Sequence, residues 1–151
     1  MEILNTEEIL SQYSFKEIMS ACRKIVRKYI KRKIMGPLYY IFLIKPLQEK
    51  SMLIARDDNK NIIGFLTWKE YKKEQNILLE KMALREDLTG KGIGTQLLNE
   101  LKKVAKNRNR NIRLRVAKIN DKGINFYKKH GFQVTDTSRS KITTDMFLAV
   151  N

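Results

Sequence analysis

The sequence predicts a single α/β domain with a mixed, mostly antiparallel central sheet flanked by helices. Three patterns along its 151 residues predict it. Apolar residues from Phe15 onward recur at i, i+3 and i+4, the spacing of an amphipathic helix. Two strand-like runs, "SMLIARD" and "IIGFLTWKEY", flank the polar turn "DNKN" and make a β-hairpin. Further along, helical and strand patterns alternate, so the later strands are joined through helices. An antiparallel meander followed by crossovers is a mixed sheet.

Each element follows in order. The first helix takes Ser14 as its cap and buries Ile18, Met19, Cys22, Ile25, Val26, Tyr29 and Ile30. Gly36-Pro37 ends it, and its outer face is Arg23, Lys24, Arg27, Lys28, Lys31, Arg32 and Lys33. After the hairpin, "QNILLEKMALR" reads as a third strand. A helix over 93–107 buries Ile93, Leu97, Leu98, Leu101 and Val104 or Ala105. "NIRLRVAK" is a strand, 122–130 a short helix, and "GFQVTD" and "DMFLAV" the last two strands.

Composition bounds the function. Hydrophobic content of 42% and charged content of 31% suit a globular chain long enough to bury a core. One cysteine excludes an internal disulfide and fits a reducing compartment. "MEILNTEE" is acidic where a secretory leader is basic and then apolar, and "LYYIFLI" is too short to span a bilayer. A cytoplasmic protein without a membrane partner is expected. One cysteine and one histidine leave no cluster of the zinc type, so no metal is expected.

The net charge of +15 is uneven. Residues 1–50 carry ten Lys or Arg against five Asp or Glu, 51–100 eight of each, and 101–151 thirteen against three. Such a field attracts polyanions in a salt-dependent way. A genome that writes lysine, isoleucine and asparagine freely produces the same surplus.

Gly90, Gly92 and Gly94 stand at the mouth of the helix over 93–107, although glycine costs a helix about 1 kcal/mol relative to alanine. A strand, a glycine-rich turn and a helix start together favour a bound phosphate. The first helical N–H groups lack internal partners, the dipole attracts an anion, and missing β-carbons let it approach. Lys91 adds a mobile positive charge. "GKGIGT" fits neither G-x-x-x-x-G-K-[ST] nor G-x-G-x-x-G. On this segment alone, a tight turn that binds nothing stays open.

A second segment, "VAKINDKGINFYKKHGF", places Tyr127 seven residues after Asn120, then Gly131-Phe132. Together the two segments resemble the GCN5-related N-acetyltransferase (GNAT) superfamily, whose members move an acetyl group from acetyl-CoA to an amine. The family's Q/R-x-x-G-x-G/A loop is matched by Thr89-Gly90-Lys91-Gly92-Ile93-Gly94. Its N-x-x-A-x-x-x-Y-x-K-x-G-F element is matched from Asn120, with Gly123 at the alanine. The resemblance covers residues 51–150 as an acetyl-CoA-binding core, while residues 1–50 match loosely as a helical, acceptor-side region. Two departures stand out: Thr89 replaces Arg or Gln and removes one phosphate contact, and Gly123 loosens a helix start.

The resemblance implies roles. N–H groups around Gly90, Gly92, Gly94 and Thr95 hold the pyrophosphate, and Thr89, Lys91 and Ile93 complete the cofactor-binding loop. Backbone groups of Met82 and Leu84 pair with the pantetheine arm, and the Asn120 side chain bonds it from the opposite strand. Tyr127 is the acid that protonates the leaving thiolate, or else a core tyrosine beside Phe126. Glu80, with strand parity matching Met82 and Leu84, is the base, or else an ordinary strand glutamate. His130 reads as surface or capping, and Cys22 as core. Tyr39, Tyr40 and Phe42 either line the acceptor site or pack the first helix.

The acceptor stays open: a protein amine, a small-molecule amine, or an aminoacyl-tRNA held through Arg23–Lys33 and Lys102–Arg110. A homodimer is also open. The competing function is a catalytically silent, basic nucleic-acid-binding or regulatory module on the same fold; an interfacial membrane protein is a third.

Overall fold

Asn5 and Ser14 start two helices by the same device. Each side chain accepts the N–H groups that a new helix leaves unpaired, while Glu8 and Glu17 reach back to the cap backbone. In the computed structural model, which describes residues 1–27, 43–135 and 140–150, these boxes open α1 (Thr6–Gln12) and α2 (Phe15–Val26). A strand precedes them, β1 (Glu2–Asn5). Neither β1 nor α1 was expected, because each is short and buries one or two residues.

Next come a turn of helix, α3 (Lys45–Gln48), then β2 (Met52–Arg56), β3 (Ile62–Tyr71) and β4 (Asn76–Leu84). A 3-10 turn, Glu86–Leu88, leads to α4 (Ile93–Asn107). β5 (Asn111–Ala117), α5 (Asp121–Lys129), β6 (Gln133–Thr135) and β7 (Thr143–Leu148) complete the order. The strands form one mixed sheet in the order β1-β2-β3-β4-β5-β7-β6. Only the β4–β5 pair is parallel among the registers described. The helix from Phe15 is described through its cap Arg27. Lys28, Lys31, Arg32, Lys33, Tyr39, Tyr40 and Phe42 lie outside the described residues.

The chain divides into two units. The first comprises Met1–Trp68 and Lys81–Leu101. Its core joins Ile9, Ile18, Cys22 and Ile25 of α1 and α2 to Met52, Ile54, Phe65 and Ala83 of the sheet. Burial pushes the Cys22 thiol up to about 12, so it is no thiolate at neutral pH. Thr6 joins β2 through its hydroxyl, which donates to Met52 O at 2.8 Å and accepts from Met52 N–H at 3.2 Å. Thr6→Val keeps the shape and leaves two buried backbone groups unpaired. It is expected to lower unfolding free energy by about 3 kcal/mol, read from urea midpoints.

The second unit comprises Lys69–Glu80 and Lys102–Asn151. Ile112, Leu114 and Val116 alternate with Arg113 and Arg115 along β5, burying one face. Register sets Leu114 between Leu79 of β4 and Met146 of β7. On the other face Arg115 bonds the buried Asp145 carboxylate directly across the ladder, at 2.9 Å.

Candidate active site

The turn that feeds α4 is locked on its strand side. Arg85 N–H donates to Ile63 O at 2.8 Å, and the Arg85 guanidinium grips Asp87 with two bonds of 2.8 and 3.0 Å. Thr89 spends both of its donors on Glu86 O, its N–H at 3.1 Å and its hydroxyl at 2.9 Å. Closing the 3-10 turn occupies both donors.

The glycines that follow differ. Gly90 and Gly92 have φ of +80° and +81°, and a β-carbon added to either meets nothing within 4 Å. Gly92 O accepts from Gln96 N–H at 3.1 Å, which puts Gly92 at the cap position of α4. The other described helices of seven or more residues, α1, α2 and α5, are capped by the side chains of Asn5, Ser14 and Asn120. The fifteen-residue α4 has a residue with no side chain there. The open space beside Gly90 and Gly92, next to the positive dipole end of α4, is suited to an anion. Lys91 is exposed between the two glycines, and Ile93 and Gly94 are buried.

β4 presents the second feature. Its ladder to β5 ends at Leu79 opposite Leu114, although β4 continues to Leu84. The backbone of 81–84 is therefore outside that ladder. Leu84 turns its side chain to the core, since a β-carbon on Gly64 would stand 2.5 Å from Leu84 Cδ2 and 3.6 Å from Leu97 Cδ1. Only backbone groups of Leu84 can serve a ligand. Glu80, Lys81 and Met82 are all half-buried, between buried Leu79 and Ala83. Ile77, Leu79 and Ala83 are buried while Leu78, Glu80, Met82 and Leu84 are half-buried, the alternation that gives Glu80 the parity of Met82 and Leu84. Lys81 was passed over in the sequence; burial lowers its ammonium pKa, and its only signal was a charge inside an apolar strand.

In the second unit, α5 builds a stage for Tyr127. Asn120 caps it, accepting Gly123 N–H at 3.0 Å. A β-carbon at Gly123 would lie 2.6 Å from Asn120 Nδ2, so glycine there gives the cap its room, a role beyond a loosened start. Tyr127 lies edge-on to Phe126 and Phe132, with centroids 5.2 and 5.5 Å away. Gly131, at φ +90°, turns the chain so that Phe132 N–H reaches Tyr127 O at 3.1 Å. Burial pushes the Tyr127 phenol up to about 12, and its hydroxyl bonds no other described residue. His130 is the C-cap of α5, with Nδ1 2.8 Å from Phe126 O.

The Acetyltransferase (GNAT) family model matches residues 16–132. The chain belongs to the GNAT acetyltransferase family. Solved structures share the fold. PaiA N-acetyltransferase from Thermoplasma acidophilum, in complex with coenzyme A, is 21% identical with a TM-score of 0.67, and 99% of each chain is covered. A chain of the NatC complex bound to Gag peptide and CoA is 16% identical with a TM-score of 0.74, covering 100% of both. Nourseothricin acetyltransferase is 19% identical with a TM-score of 0.60; the match covers 66% of this chain and 65% of that one. No functionally curated protein matches the chain.

The GNAT protein commits most of one predicted phosphate-binding block to its own fold. Lys102 Nζ donates to His130 O at 2.9 Å, and Arg108 and Arg110 share Glu70 at 2.9 and 3.2 Å. Lys103 also has a partner within the protein. Of the five residues expected to touch a polyanion between Lys102 and Arg110, only Lys106 is exposed and without such a bond among the described residues. In the other block, Arg23, Lys24 and Arg27 are exposed. No described helix is long and apolar enough to cross a membrane, and no three described His, Cys, Asp or Glu residues group to hold a metal.

Proposed function

We propose that this GNAT protein transfers an acetyl group from acetyl-CoA to a primary amine, on a protein or a small molecule, by direct attack within a ternary complex, with residues 1–151 acting as one domain. The observation that carries the reading is the pair of uncovered left-handed glycines at the side-chain-free start of α4. CoA in the solved PaiA and NatC relatives supports it.

Acetyl-CoA supplies an acetyl group activated as a thioester. Backbone N–H groups of Gly90, Gly92, Ile93, Gly94 and Thr95 receive its diphosphate, and Lys91 adds charge. Backbone groups of Met82 and Leu84, beyond the end of the β4–β5 ladder, hold the pantetheine arm. Asn120 has Oδ1 occupied by the cap and contributes Nδ2 as a donor. Glu80 accepts the proton that the amine loses as its nitrogen bonds the carbonyl carbon and the C–S bond breaks, directly or through water. Tyr127 gives a hydrogen bond to the departing sulfur. An acceptor tethered to a polyanion draws support from Arg23, Lys24 and Arg27 more than from the Lys102–Arg110 block.

Calorimetric titration tests the reading. Acetyl-CoA is expected to bind with a dissociation constant below about 1 mM, one per chain. No heat at that concentration would sink the proposal and favour the silent basic module.

A further inference from the structure

A cleft of about 1010 Å³ opens in the first unit between α2, the start of β3 and the 3-10 turn Glu86–Leu88. That is the size of a small-molecule site. Ala21, Ile25 and Ile62 give it an apolar floor, with Ile25 in the core and Ile62 packed against it. Its walls carry Lys16, Lys24 and Arg85 against Glu17, Glu86 and Asp87. The acids are engaged, and two of the cations are not. Ser14 donates its N–H and its hydroxyl to one Glu17 oxygen, at 2.8 and 2.6 Å. Arg85 holds both oxygens of Asp87, and Glu86 has a partner within the protein. Lys16, Ser20 and Lys24 are exposed, and no described residue bonds their side chains.

Those three residues stand four apart on α2, so they form one stripe along the cleft, with neighbouring β-carbons about 5 to 6 Å apart. A single anion above Ser20 has an ammonium on either side and a hydroxyl beneath it. What the cleft has left to offer is therefore donors and positive charge beside an apolar floor. We propose that it binds a small amphipathic anion, an aliphatic or aromatic carboxylate. The charged group lies at Lys16, Ser20 and Lys24, and the apolar body rests on Ala21, Ile25 and Ile62. This is a second ligand site, apart from the glycine turn, since no residue from Thr89 to Thr95 lines it. A nucleic acid meets the same lysines but has no use for the floor.

Fluorescence titration tests the cleft without turnover. The probe is 8-anilinonaphthalene-1-sulfonate, whose sulfonate stands for the carboxylate and whose emission reports apolar surroundings. N-phenyl-1-naphthylamine, with the same rings and no charge, is the control. The chain is expected to bind one probe, at least about tenfold tighter than the neutral control. Lys16→Gln with Lys24→Gln should weaken the probe at least about tenfold, and Ser20→Ala about threefold, with the melting midpoint unchanged. Lys72→Gln with Lys73→Gln removes the same charge from the exposed turn after β3 and should leave probe affinity within about threefold. Saturating acetyl-CoA should leave the probe bound. Equal affinity for the neutral control overturns the anion site. A loss in the Lys16 and Lys24 pair no larger than in the Lys72 and Lys73 pair reduces it to the general positive field and overturns it too. Displacement of the probe by acetyl-CoA would make the cleft part of the acetyl-CoA path and end the proposal of a second site. Tighter binding of a hexaglutamate peptide than of the probe overturns the small ligand in favour of an acidic protein partner.

Discussion

Gly92→Ala is expected to weaken acetyl-CoA binding about thirtyfold while costing the fold only about 1 to 2 kcal/mol. The two effects have different sources. A β-carbon at φ +81° is strained in any L-residue, and that strain is the main cost to stability, since no described residue other than its chain neighbours stands within 4 Å of it. The same carbon enters the open space at the start of α4, where the diphosphate is proposed to lie. A charge-assisted bond lost there is worth about 2 kcal/mol, and each 1.4 kcal/mol is tenfold in affinity. Gly131→Ala separates them. It has the same handedness, at φ +90°, but its β-carbon would touch Leu148 Cδ1 at 3.3 Å in the second unit. It should lose similar stability and keep acetyl-CoA affinity within about threefold. If Gly92→Ala and Gly131→Ala bind acetyl-CoA equally well, the glycine turn is only a turn.

Where the chain makes its own connections locally, the sequence was a good guide. The hairpin around "DNKN", the helix beginning at Ile93 and the strand–helix–strand order after it follow from period and punctuation, and they stand in the fold as expected. β1 and α1 were missed for want of length: "EILN" buries Leu4 alone, and α1 buries Thr6 and Ile9. Their readable trace was the capping box in "NTEE", where Asn5 stands three residues before Glu8. The site divides the same way. Glycines at a helix start are legible because their chemistry is local. That Thr89 turns its donors to Glu86, or that Glu70 holds Arg108 and Arg110 from 38 and 40 residues away, depends on folded geometry. Counting charge found a basic third of the chain, but not which of its cations were already engaged.

Tyr127→Phe is expected to lower kcat by about 10²- to 10³-fold, with the KM for acetyl-CoA within about threefold of the parent value. The phenol sits against Phe126 and Phe132 where burial holds its pKa near 12, against about 8.5 for an ordinary thiol. Full transfer of that proton to a thiolate is uphill by three to four pKa units, about 5 kcal/mol. On the acetyl-transfer proposal Tyr127 would then act as a hydrogen-bond donor to charge growing on sulfur, and the expected loss is that of one preorganised donor. The sign of the pH dependence follows. The donor form is the protonated one, and a raised pKa keeps it so at every pH below about 12. An alkaline fall in kcat with a midpoint well below that value must belong to another group and should persist in Tyr127→Phe. Misfolding cannot account for the loss, because the deleted hydroxyl bonds no described residue, so urea stability should hold or rise slightly. A variant within threefold of the parent kcat would return Tyr127 to the core as an ordinary packed ring.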